Sequence, residues 1–230
     1  MKLKKQRYFT KTELAIWIGS IILIVSAFCI FDGKKYLNMI ASLVGTTALI
    51  FCAKGNPFGQ ALMIIFASLY AYISISFRYY GEMMTYLGMS LPMSVVALIT
   101  WLKNPSKESR AEVKVNNISK KEILFGFFIA LVVTVIFYFI MKALGTAYLT
   151  ISTVSITTSF FAAYLTFRRS EYFALAYALN DIVLIIMWTM ATINNIGYIS
   201  VIICFLVFLV NDTYSYINWR KMKVRQQDAE

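Results

Sequence analysis

The sequence predicts an all-α polytopic membrane protein of eight transmembrane helices: two parallel triples around a middle helix, preceded by one extra N-terminal helix. Three observations predict it. Of 230 residues, 60% are apolar and 14% charged, and the mean hydropathy is +0.69; soluble domains run at about 45–50% and about 25%. The apolar residues come in runs of about 20, the length a helix needs to cross a bilayer. Offsetting the halves by 118 residues aligns Trp101 with Trp219, Lys103 with Lys221, Leu91 with Leu209, Tyr80 with Tyr198 and Tyr70 with Trp188. The plainer alternative is that any two apolar triples align this well by chance.

In chain order the runs fall at roughly 14–31, 36–53, 57–77, 82–102, 122–144, 147–167, 172–193 and 197–219. The first follows a basic start that would suit a cleavable signal. It ends Ala27-Phe28-Cys29-Ile30-Phe31, without a small-residue cleavage site, and so reads as a retained helix. Residues 1–35 are therefore expected to be a tail plus the extra helix, and 36–102 the first triple. KNPSKESRAEVKVNNISKK at 103–121 has the composition of a solvated loop. After it come a linker helix at 122–144, the second triple at 147–219 and a tail at 220–230, whose end from Gln226 to Glu230 reads as disordered. Because one helix separates the triples, both run in the same direction, the parallel-repeat plan of some transporters.

Eight spans put both termini on one side. That side collects 18 Lys and Arg, including Lys54, Lys103 to Lys121, Arg168, Arg169 and Arg220 to Arg225; the other has Lys34, Lys35, Arg78 and Lys142. Positive loops stay in the cytoplasm, so both termini are expected there, in a multi-pass protein of the plasma membrane. The net charge of +11 is thus a matter of topology and not of nucleic-acid binding. Trp101 and Trp219, beside Lys103 and Arg220, read as interfacial anchors. Arg78 and Glu82, four apart, read as a surface pair at the outer boundary, with Tyr79 and Tyr80 as anchors.

The chain has no His, and Cys29, Cys52 and Cys204 all lie inside apolar runs, so neither a disulfide framework nor a metal-ligand spacing is expected. No Walker motif is present. No cofactor, metal site or catalytic residue is expected.

Ionisable groups deep in a bilayer cost about 2.5–3.5 kcal/mol each on insertion scales and point to function. Two acids lie deep, each after an Asn: Asn180-Asp181 in the seventh run and Asn211-Asp212 in the eighth. At roughly 1.5 Å per residue they stand about 15 Å and about 12 Å from the same membrane face, near the midplane. No Lys or Arg lies at that depth, so each acid must be protonated, hydrated or neutralised by a cation. Helical spacing groups Asn180, Leu184 and Trp188 on one face, Asn211, Tyr214 and Asn218 on another, and Asp212 with Ser215 beside it. Amides, an acid and an aromatic wall suit a small polar solute with a flat ring, above all a cationic ring. The alternative is that these groups merely join two helices. In the first half the candidate contacts are Ser68, Tyr70 and Ser94, and Pro92 permits a bend.

These residues resemble the PnuC-type vitamin-precursor transporters. The likeness covers 36–219, through Asn180, Trp188, Tyr198, the run from Asn211 to Trp219, Tyr79-Tyr80-Gly81-Glu82, Leu91-Pro92-Met93 and Trp101. It implies a fold similar to the SWEET sugar transporters, three helices plus one plus three, with substrate held between the triples. It also implies facilitative import of nicotinamide riboside, trapped by cytoplasmic phosphorylation. The sequence departs where the family shows a Gln and then a Gly-Trp pair, since Ser94, Ala97 and Leu98 stand there. Thiamine, riboflavin or a deoxynucleoside, proton-coupled carriage and a non-transporting scaffold stay open as alternatives. The partners expected are a nicotinamide riboside-like small molecule, the lipid bilayer and further copies of the chain as a homo-oligomer, with no nucleic acid.

Overall fold

Two helices begin by the same local device. The Thr10 and Ser119 hydroxyls accept from the backbone N–H of Glu13 and Glu122, whose carboxylates accept in return from the backbone N–H of Thr10 and Ser119. Each capping box satisfies helix N-terminal donors that would otherwise lack partners. The structure, a computed structural model, describes residues 8–32, 36–76, 80–193 and 196–229, the side chains at 76 and 80–82 excepted.

The helices are α1 (Lys11–Phe31), α2 (Tyr36–Ala53), α3 (Pro57–Ser76), α4 (Tyr80–Thr85), α5 (Leu91–Lys103), α6 (Lys120–Ala143), α7 (Leu149–Phe167), α8 (Tyr172–Thr192) and α9 (Ile199–Asp228). A π-helical turn, Tyr86–Ser90, joins α4 to α5, and the three together form one span. Among the described residues eight stretches are long and apolar enough to cross a membrane, in agreement with the eight apolar runs.

Pro92 explains the π turn. It lacks an N–H, and just before it the Leu91 N–H reaches back five residues to the Tyr86 carbonyl. Such wide turns occur where a helix must re-aim side chains, often at functional sites.

Six helices close a ring: α2 packs on α3, α3 on α5, α5 on α7, α7 on α8, α8 on α9, and α9 back on α2. Outside the ring, α1 lies on α2 and α9, and α6 lies on α7. The outward face of α6 carries Leu124, Phe128, Val135 and Phe139, exposed as a lipid-facing surface requires.

Three expectations need correction. Trp101 and Trp219 are not interfacial anchors: both are 0% exposed, their rings 5.3 Å apart with Phe173 against them. Each indole N–H finds a buried carbonyl, Trp101 at Thr166 (3.0 Å) and Trp219 at Cys52 (2.8 Å), which makes burial affordable for a polar ring. The end from Gln226 is not a disordered tail, because α9 runs on to Asp228 and Gln226 is buried. Nor is the 103–121 segment fully solvated. Its Val113 and Val115 are buried, and the Gln226 amide donates to the Val113 carbonyl and accepts from the Val115 N–H.

That segment also bonds to the α2–α3 turn through Val113 N–H to the Gly55 carbonyl, and to the α7–α8 turn through Asn116 N–H to the Arg169 carbonyl. Gly55 has φ +63°, and Met222 and Val113 crowd the place a side chain would take. Arg78 and Tyr79, and the side chains of Tyr80 and Glu82, lie outside the described residues, as do Lys34 and Lys35.

Candidate functional site

The ring encloses a cavity of about 140 Å³ lined from all six of its helical walls. From α2 comes Cys52, from α3 Gln60 and Phe66, and from the π turn Tyr86, Met89 and Ser90, followed by Ser94 on α5. The other half contributes Ser159 on α7, five residues of α8 including Tyr177, Asn180 and Asp181, and Phe205, Phe208 and Asp212 on α9. This is an apolar pocket with a few convergent polar groups, the usual composition of a small-molecule site. Ligand pockets run from roughly 300 Å³ upward, and this cavity is smaller than that.

Asp181 and Asp212 converge on it. They are 4% and 2% exposed, and both line the cavity. Among the described residues no N–H or O–H reaches Oδ2 of Asp181 or Oδ1 of Asp212. Among the described residues that line the cavity none is Lys or Arg.

Asn180, beside Asp181, is oriented by α7. Its Oδ1 accepts from Ser155 (3.0 Å) and Thr158 (2.7 Å), which fills both acceptor positions and leaves the NH2 as its available group at the cavity wall.

The structure thus brings Ser94, Asn180, Asp181 and Asp212 together and places the other six candidates elsewhere. Asn211 is buried, its amide donating to Ser20 on α1 (3.0 Å) and to the Val207 carbonyl. Tyr214 donates to Glu13 (3.2 Å), and Asn218 to the Ala53 carbonyl (2.7 Å). These three join α9 to α1 and α2, the helix-joining role weighed from the sequence. Trp188 packs on Tyr198 with ring centroids 5.0 Å apart, one turn beyond the lining residue Leu184. Ser68 is exposed and bonds its own helix at Ile64, while Tyr70 stands behind the wall, stacked on Tyr86 at 5.2 Å and near Ser42.

Sequence reasoning named Gln60 among the polar groups of the third run but missed Tyr86, Ser90 and Tyr177. The signal for two of them was present: Gly88 within the turn and Pro92 two residues after it mark the place that aims Tyr86 and Ser90 inward. It also missed Glu13, buried at the start of α1, whose carboxylate takes the Lys54 ammonium at 3.1 Å through both oxygens. At the same end of the bundle, Arg169 lies half-buried in the α7–α8 turn beside Arg168. Burial first, and that neighbouring charge second, hold its guanidinium below its ordinary pKa.

A family model described as the nicotinamide mononucleotide transporter matches residues 35–221. The chain belongs to that family. It is 30% identical over 217 residues to the nicotinamide riboside transporter PnuC of Neisseria mucosa, covering 92% of this chain and 82% of that one. It is 23% identical over 215 residues to the protein of the same name from Haemophilus influenzae, covering 91% and 90%. Among solved structures, the crystal structure of the vitamin B3 transporter PnuC superposes with a TM-score of 0.81 at 26% identity, covering 95% of this chain and 94% of the other. The family is one of membrane transporters, and the multi-pass helical fold accords with that membership.

Proposed function

We propose that this protein carries nicotinamide riboside, a pyridinium nucleoside, across the plasma membrane through the cavity inside its six-helix ring. One observation carries the reading beyond family membership: two buried carboxyls and an oriented amide line an apolar cavity whose lining residues include no cation. A flat cationic ring with a hydroxylated sugar matches that lining, since carboxyls supply countercharge and the Asn180 amide supplies donors for ribose oxygens. Ser94, Ser90, Gln60 and Tyr86 complete the polar wall.

Transport proceeds by alternating access. The triples at 36–102 and 147–219 rock against each other around the cavity, with 122–144 as the linker helix and the helix at the start of the chain as an outer brace. The small cavity and the buried Trp101–Trp219 contact support a state closed at the end that carries the termini. The excess of Lys and Arg on that end supports a cytoplasmic location for both termini. No ATP-binding motif is present in the sequence, so one-way uptake comes from cytoplasmic phosphorylation of the imported nucleoside.

The test is uptake of labelled nicotinamide riboside by cells lacking other routes. Uptake and counterflow that depend on this protein support the reading. Absence of both, with the protein in the membrane, overturns it.

A further inference from the structure

We propose that the 104–119 segment is a clasp over the gate at the end that carries the termini. It rides on α5 and must release Arg225 and Gln226 of α9 before the cavity opens there. The inference rests on the alternating-access reading above and adds what holds that end shut.

The segment leaves α5 at Asn104 and at once folds back on itself. The Ser106 N–H donates to the Glu112 carbonyl (2.7 Å) and the Lys114 N–H to the Asn104 carbonyl (2.8 Å), with Pro105 opposite Val113 in an antiparallel bridge. A further bond, from the Val113 N–H to the Gly55 carbonyl (2.9 Å), fixes this short hairpin to the α2–α3 turn. The hairpin is therefore an extension of the half made by α2, α3 and α5.

Its far side grips the other half. Beyond Trp219, α9 continues to Asp228, and the Gln226 amide on it is spent on the hairpin. Its NH2 donates to the Glu112 carboxylate (2.7 Å) and the Val113 carbonyl (3.0 Å), and its oxygen accepts from the Val115 N–H (2.8 Å). Arg225 adds ion pairs to Glu108 (2.8 Å) and to Glu112. Arg225 is half-exposed, so water and salt screen those pairs, and the buried Gln226 is the main hold. Val113 and Met222, both buried, crowd Gly55 and belong to the same apolar cluster as Trp101, Trp219 and Phe173. The clasp thus closes over the indole pair on which the cavity floor rests.

Opening at this end has to part α9 from α2. Chain connectivity keeps the hairpin on α5, so the contact that gives way is the one to Arg225 and Gln226. Entering water then meets the Val113 carbonyl and the Val115 N–H, and no polar group is left buried without a partner.

The test ties the clasp shut. In the full chain with Cys29→Ser and Cys204→Ala, Glu112→Cys together with Arg225→Cys is treated in proteoliposomes with a membrane-permeant, reducible bis-methanethiosulfonate cross-linker. Counterflow of labelled nicotinamide riboside should stop once the mass of the joined peptides confirms the link, and dithiothreitol should restore it. Lys107→Cys with Arg110→Cys, both exposed, ties the hairpin only to itself and should leave counterflow at the untreated rate. Should the first pair fail to reach the membrane, Glu108→Cys with Arg225→Cys joins the same two elements. Counterflow that continues at the untreated rate across the linked α9 pair overturns the clasp, as does an equal loss in the hairpin control. Absence of uptake and of counterflow in the wild type overturns the carrier reading itself, and the clasp with it.

Discussion

The indole rings of Trp101 and Trp219, on α5 and α9, meet 5.3 Å apart in the interior with no exposed surface. Phe173 packs on both and also lines the cavity, so the Phe173 floor of the cavity rests on the pair. The Trp219 N–H donates to the carbonyl of Cys52, whose residue belongs to the cavity wall.

Removing that support should open the cavity from below. In a background with Cys29→Ser and Cys204→Ala, Trp219→Ala should expose Cys52 to a membrane-impermeant maleimide applied from the terminal side. The protein with Trp219 intact should stay unlabelled. The same change should destabilise the protein by about 3–5 kcal/mol, as loss of a buried aromatic does.

Asn180 and Asn218 separate binding from joining. Asn180→Ala should raise the half-saturating riboside concentration by about fivefold, the worth of one hydrogen bond of about 1 kcal/mol. Asn218→Ala removes a bond to the Ala53 carbonyl outside the cavity and should lower thermal stability while leaving that concentration unchanged.

The Glu13–Lys54 pair holds α1 to α2, with Tyr214 of α9 bonding the same carboxylate. Lys54→Met alone leaves a buried carboxylate without its cation and should cost about 3 kcal/mol in a detergent melt. Adding Glu13→Leu should recover much of the loss, since no buried charge then remains.

Pro92→Ala restores a backbone donor and lets the π turn at Tyr86–Ser90 relax toward regular helix. Tyr86, Met89 and Ser90 would then rotate off the cavity. Turnover should fall at least about tenfold while the melting temperature stays level or rises, because a helix-interior proline is destabilising by about 3 kcal/mol.

Gln226→Ala leaves the Val115 N–H and the Val113 carbonyl without their partner. Each costs about 1–3 kcal/mol when buried and unmet, so the 104–119 segment should detach locally. Trypsin should then cut after Lys107, Arg110 and Lys114 faster than in the wild type, with the rest of the bundle intact.

Eight helices, their order and approximate ends, and the two deep carboxylates were legible in the sequence, because each depends on local composition. A run of about 20 apolar residues is a helix in oil wherever it sits, and an Asp among them is costly whatever its neighbours. Which polar groups share a space was not legible. Asn180 and Asn211 have the same local signature, Asn before Asp at similar depth, yet Asn180 lines the cavity and Asn211 is spent on Ser20 of α1. Periodicity names the face of a helix but not the helix that covers it. Similarly, a Trp beside a Lys at a helix end reads as an anchor, and only the pairing of two such ends buried Trp101 and Trp219 together. Membrane insertion is a sum over residues of one segment and is written along the chain. The cavity, its floor and the convergence of Asp181 and Asp212 on it depend on how separate segments close into a ring, so the tertiary structure alone decided them.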